Sequence, residues 1–153
     1  MYMRNILCAA VLLLATTKIG YSEYKHHHKD DNELSVDVME RKLKEHRTLF
    51  ADIVLAQSVL ESNWYKSDIC RNGNNCFGMK LSGRRPTTTN ESYKCYAKYK
   101  DIDDCINDYS LWQLWSGVQK MSKDEYINFI SKNYAEDGEY RKKLEIMIQT
   151  LKK

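Results

Sequence analysis

The chain lacks a dominant charge. Its 153 residues carry 24 Lys and Arg against 21 Asp and Glu, a formal net charge of +3 at pH 7. Arg4 and Lys18 are the only charges in residues 1–22, so beyond residue 22 the balance is 22 against 21. A near-neutral surface gives no reason to expect nucleic acid or long-range steering of a charged partner. The chain also lacks an apolar run long enough to cross a bilayer. The longest, Ile6 to Ala15, has ten residues, where a spanning helix needs about 20. Proline occurs once, at Pro86 in the polar stretch Ser82–Ser92. Internal repeats are missing, and this length fits one domain. The cysteines lack the paired short spacings of a zinc site. No metal or organic cofactor is expected.

What is present begins with an export signal. Arg4 supplies a short positive region, Ile6–Ala15 an apolar core, and Gly20-Tyr21-Ser22 a small-x-small cleavage site. Residues 1–22 are read as a signal peptide that leaves no stable membrane insertion after cleavage; an uncleaved anchor is the rival. The protein is expected to be periplasmic or secreted. Residues 23–34 form a flexible lead-in, whose His26, His27 and His28 read as solvated. Residues 35–153 form the domain, about 130 residues with the lead-in and enough for one modest core. A monomer is expected.

Four cysteines follow the signal: Cys70, Cys76, Cys95 and Cys105. An even number in an exported chain implies two disulfides with three possible connectivities. The local pairing, 70–76 with 95–105, is preferred; the rival 76–95 would staple two strands.

Ile53, Val54, Leu55, Ala56, Val59 and Leu60 predict a helix that is apolar nearly all round, hence buried. It runs into Glu61, which continues the face of Phe50, Val54 and Gln57. Burial and the negative end of the helix dipole both disfavour a charged carboxylate there, so its pKa should rise. A carboxyl kept protonated near neutral pH is suited to general-acid chemistry. Short strands are expected at Cys76–Leu81 and Tyr93–Tyr99. A helix restarts at Ile102, another opens at the capping box Ser122–Glu125, and a last one carries Tyr140, Leu144, Met147, Ile148 and Leu151. The pattern is α+β and mainly helical.

The segment AQSVLESNWYKS followed by NNCFGMK resembles the signature of the bacterial glucosaminidase family that cuts peptidoglycan, A-Q-x-x-L-E-S-x-W-G-x-S and then N-N-x-F-G-I-K. CYAKYKDIDDCINDYSLW and NYAEDGEYRKKLEIMI resemble its later blocks, in the family's order. The resemblance spans roughly residues 50 to 151. It implies a lysozyme-like fold, with a helical lobe, a small β-lobe and a sugar cleft between them. It implies Glu61 as catalytic acid, Tyr134 lining the cleft, and Phe77 and Gly78 as the wall beneath it. The second carboxylate of the family comes from the β-lobe, where Glu91 is the only glutamate between Phe77 and Lys100. Asp101, Asp103 and Asp104 lie at a helix start, where acids favour the dipole. Gln57, Trp64, Asn75 and Tyr99 complete the candidate sugar contacts, the first three with a rival reading as packing or turn residues. The chain departs from the family at Asn63 and Tyr65, where glycine is usual. Tyr65 would add a stacking surface or obstruct a subsite.

The activity implied is hydrolysis of the β-1,4 bond after N-acetylglucosamine in peptidoglycan glycan strands. The alternatives are a lysozyme or lytic transglycosylase acting on the same polymer, and a non-catalytic glycan-binding module.

Overall fold

Six α-helices and one two-stranded hairpin make up the computed structural model, which describes residues 34–134 and 137–152. Residues 1–33, which hold the expected signal peptide and nearly all of the expected lead-in, lie outside the described residues. Helix α1 (Val36–Glu45) starts where the Ser35 side chain accepts a hydrogen bond from the Val38 amide at 3.2 Å. Its buried residues, Val36, Met39 and Leu43, sit at helical spacing. Helix α2 (Ala51–Ser62) is the predicted apolar helix, and every residue from Ile53 to Val59 is buried. It packs chiefly on α1 and on the last helix, α6 (Tyr140–Leu151), which buries Tyr140, Leu144, Met147 and Ile148.

Helix α3 (Asp68–Gly73) is short. Helix α4 (Ile102–Trp115) is capped by Asp101, whose carboxylate accepts from the Asp104 amide at 2.8 Å. Asp103 does more than favour the helix dipole. It binds Lys42 Nζ at 2.6 Å and His46 Nε2 at 2.8 Å, tying α1 to α4. A 3-10 turn (Val118–Lys120) leads to α5 (Lys123–Asn133), which opens on the predicted capping box of Ser122 and Glu125.

The β structure is smaller than the alternation predicts. Strands β1 (Ser92–Tyr93) and β2 (Tyr96–Ala97) pair antiparallel, with Ser92 opposite Ala97 and Tyr93 opposite Tyr96. Lys94 and Cys95 turn the hairpin at φ +49° and +67°, the left-handed pair that a tight two-residue hairpin needs. Cys76–Leu81 is not a strand. Gly78, at φ +64°, breaks its extended path. One backbone bond, from the Ala97 amide to the Met79 carbonyl at 2.9 Å, joins the segment to the hairpin.

The disulfide expectation is corrected in half. Cys70 and Cys76 are bonded, but Cys95 is exposed at the hairpin turn and Cys105 is buried in α4, both as free thiols. The 95–105 bridge does not form because its partners lie in opposite environments. The 76–95 bridge is excluded because Cys76 already has a partner.

A buried ion pair, unforeseen in the pattern, anchors the loop between Gly78 and the hairpin. Arg85 donates to both carboxylate oxygens of Asp108 in α4, at 2.8 and 2.7 Å. The Thr88 amide and the Tyr99 hydroxyl donate to the same carboxylate at 3.1 and 2.7 Å. Burial pushes the Asp108 carboxyl up, but these donors outweigh it and hold the group below the usual carboxylate range.

Candidate active site

Glu61 is the penultimate residue of α2, where the buried helix meets the surface. The chain leaves the helix through three consecutive left-handed residues, Asn63, Trp64 and Tyr65, at φ +50°, +57° and +61°. Left-handed backbone costs a non-glycine residue roughly 1–2 kcal/mol, so the exit needs support. The Ser62 Oγ accepts from the Tyr65 amide at 2.8 Å, and the Ser67 amide donates to the Ser62 carbonyl at 2.8 Å. The Tyr65 ring is buried, with its hydroxyl 3.0 Å from Ser58 Oγ. Burying an aromatic side chain contributes about 1.5–3 kcal/mol, enough to offset the strain at that position. Tyr65 is thus part of the helix exit, neither a stacking surface nor an obstruction.

Two groups face the Glu61 carboxyl. The Tyr140 hydroxyl, from the start of α6, donates to Oε1 at 2.8 Å. On the other side, a Cβ placed on Gly78 would lie 3.8 Å from Oε2 and 4.0 Å from Cε1 of Tyr96. Both are ordinary contact distances, so Gly78 lies directly beside Oε2 with Tyr96 next to it. Burial raises the Glu61 pKa to about 7, against the opposing hydrogen bond from Tyr140. The predicted direction is therefore present, with desolvation as the dominant cause. Near neutral pH the group is divided between acid and carboxylate, the condition a general acid requires.

Phe77, Gly78 and Tyr134 fall together around this carboxyl. Tyr134 is buried at the end of α5, and its hydroxyl donates to the Phe77 carbonyl. It therefore braces the turn that presents Gly78. Burial, and next the Glu61 charge, push its phenol well above the ordinary range, so it remains a neutral donor. The Phe77 ring packs on Tyr109 at 4.3 Å between centroids. Trp64, partly buried, packs against the core three residues beyond Glu61.

Three of the candidate sugar contacts lie inside the protein. Gln57 is 0 % exposed, and its Oε1 accepts from the Tyr109 hydroxyl at 2.5 Å. Asn75 is 1 % exposed; its amide donates to the carbonyls of Met79 and Ala97 at 2.8 and 2.7 Å and accepts from the Met79 amide at 2.9 Å. It substitutes for the strand pairing that the Cys76–Leu81 segment lacks. Tyr99 is 1 % exposed and committed to Asp108. All three are corrected from sugar contacts to supports of the surrounding backbone.

Glu91 is exposed, just before β1, and its carboxylate meets Lys98 Nζ at 3.2 Å. Side chains alternate along extended backbone, so Lys98 shares its side of the hairpin with Tyr96. Glu91, held by Lys98, belongs to the same side. Among the described residues, no acidic side chain is in the set of groups that shift Glu61.

The residue pattern alone missed Tyr140 and Tyr96. Tyr140 was legible as the last tyrosine of the NYAEDGEY block, yet its helical spacing assigned it to the core. Tyr96 lay within an alternating run that left its face undetermined.

The described residues thus form a mainly helical fold with a hairpin beside a desolvated glutamate. A family model described as mannosyl-glycoprotein endo-beta-N-acetylglucosaminidase matches residues 39–153, and the chain belongs to this glucosaminidase family. Its fold is similar to that of the catalytic domain of the autolysin Auto from Listeria monocytogenes, with a TM-score of 0.54 and 22 % identity over 75 % of this chain and 81 % of that one. Comparison with curated proteins gives no match.

Proposed function

We propose that the protein hydrolyses the β-1,4 bond on the reducing side of N-acetylglucosamine in peptidoglycan, with Glu61 as the general acid. The observation that carries this reading is the Glu61 carboxyl, raised to about 7, with its Oε2 beside Gly78. The glycan strand lies between the helices and the hairpin, over Gly78 and beside Tyr96 and Trp64. Glu61 protonates the departing glycosidic oxygen as positive charge develops at the anomeric carbon. Glu91, on the hairpin side that carries Tyr96, swings in to activate water on the opposite face. Family membership, the Cys70–Cys76 disulfide and the leading apolar segment support action outside the cytoplasm. Among the described residues no helix is long and apolar enough to cross a membrane.

A second reading is favoured by one observation: among the described residues no acidic group acts on Glu61. A single glutamate suffices for a lytic transglycosylase, and also for hydrolysis in which the substrate's acetamido group attacks the anomeric carbon.

Mass analysis of digested peptidoglycan separates these routes. New reducing-end N-acetylglucosamine supports the first reading; anhydro-muramyl ends replace it with the transglycosylase. Absence of any release leaves a glycan-binding module. Glu61→Gln should lower turnover by about 10²–10⁴ while retaining glycan binding. Glu91→Gln should lower it by orders of magnitude if Glu91 is the base. Full activity there, with loss of cleavage on de-N-acetylated glycan, assigns the acetamido route.

A further inference from the structure

We infer that Tyr140 is a positioning residue that gives the two oxygens of Glu61 separate tasks: its hydroxyl anchors Oε1, so that Oε2, beside Gly78, is the oxygen that carries and delivers the proton. The inference rests on the proposed role of Glu61 as general acid.

Tyr140 is only 6 % exposed, and its ring is locked into the core at the start of α6. Helices α2 and α6 form the principal packing pair of the fold, so the 2.8 Å bond between Tyr140 and Oε1 is fixed by the framework rather than by a loop. A phenol has one proton to donate. Given to Oε1, it makes that oxygen an acceptor and leaves the acid's own proton to Oε2. Oε2 is also the oxygen on the Gly78 side of the carboxyl, where Tyr96 is the next neighbour. A glycosidic oxygen seated there would meet the proton directly.

Among the described residues the titratable neighbours are few. Tyr140 comes from α6, and Tyr134 from the end of α5, with its hydroxyl occupied by the Phe77 carbonyl. Tyr96 comes from the hairpin, and Lys80 Nζ lies 6.0 Å from its ring. Among the described residues, Tyr140 alone holds the Glu61 carboxyl by a hydrogen bond that opposes burial. Without that bond the acid should titrate higher still.

Tyr140→Phe keeps the ring and removes the hydroxyl. In the parent, the alkaline limb of the kcat profile should fall near pH 7, as Glu61 loses its proton. In the variant this limb should move upward by about one pH unit. Turnover on the plateau should fall roughly tenfold, because the carboxyl is no longer held in one orientation, while KM stays unchanged. Carbon-13 titration of the Glu61 carboxyl should show the same upward shift without reference to activity. A tyrosine that only packs would move neither. If both stay within about 0.2 pH unit of the parent, Tyr140 has no positioning role. Glu61→Gln assayed in parallel separates the two ideas. An inactive Glu61→Gln with an unmoved Tyr140→Phe overturns the Tyr140 assignment alone. An active Glu61→Gln overturns the general acid and, with it, the delivery of the proton from Oε2.

Discussion

At the scale of the residue, Glu61 carries an opposition between stability and chemistry. Its carboxyl has a folded-state pKa of about 7 against an ordinary value of 4.5. Between those values the folded state holds the proton and the unfolded state releases it. The unfolded chain thus binds fewer protons, and stability falls as pH rises through this window. Glutamine removes the titration while keeping the shape. Glu61→Gln should therefore match the parent in melting temperature near pH 4 and exceed it by a few degrees at pH 8. Melting curves at the two pH values check the sign. A variant that is less stable at pH 8 would mean that the carboxylate is well solvated, contrary to the desolvation described. The same residue illustrates why a buried acid is a functional signal: among the described residues no cation pairs with it, and a hydrogen bond reaches it from Tyr140.

At the scale of the element, the hairpin and helix α4 divide the two free cysteines. Cys95 turns the hairpin in solvent, whereas Cys105 points into the core. Burial pushes the Cys105 thiol far above its ordinary range, which suppresses the thiolate that reacts with disulfide reagents. Unreduced protein starting after residue 22 should therefore show one reactive thiol when folded and two when unfolded. A titration with an aromatic disulfide reagent, before and after adding guanidinium, counts them. Four thiols in the unfolded protein would remove the Cys70–Cys76 bridge; none would restore the second bridge. The hairpin itself is too short to stand alone. It is held by the Asn75 amide and by the Ala97–Met79 bond, so its position follows that of the segment bearing Gly78.

At the scale of the whole molecule, the loop from residue 82 to Glu91 is tied to the helical body by Arg85 and Asp108. Removing one partner of a buried pair leaves an uncompensated charge and costs about 3–5 kcal/mol. Asp108→Ala should lose that much in urea unfolding, and it also strands the Tyr99 hydroxyl. Replacing both partners with apolar residues, Arg85→Met with Asp108→Leu, should recover a substantial part, because no charge is then left buried. If the double variant is no more stable than Asp108→Ala, the ion pair contributes more than compensation. The pair links the loop preceding the hairpin to α4, and so joins the Glu91 side of the molecule to the Glu61 side.

Local chemistry decided much of this protein. The apolar density of Ile53–Leu60 determined a buried helix, and its termination at Glu61 determined a raised carboxyl, since burial acts whatever the surrounding topology. Ser122 and Glu125 determined a helix start through contacts only three residues apart. Distant contacts decided the rest. Gln57, Asn75 and Tyr99 share the polar chemistry of sugar-binding residues, and only the tertiary structure turned them inward to satisfy buried partners 52, 22 and 9 positions away in the sequence. Cysteine count implied pairing, but pairing needs sulfurs to meet, and the fold places Cys95 and Cys105 in solvent and core. The Tyr140 hydroxyl reaches Glu61 across 79 residues. Helical spacing predicts which face of α6 is buried; it does not predict what that face meets. Which residue touches the acid was therefore settled by the packing of α2 on α6, a long-range arrangement that no local pattern of residues encodes.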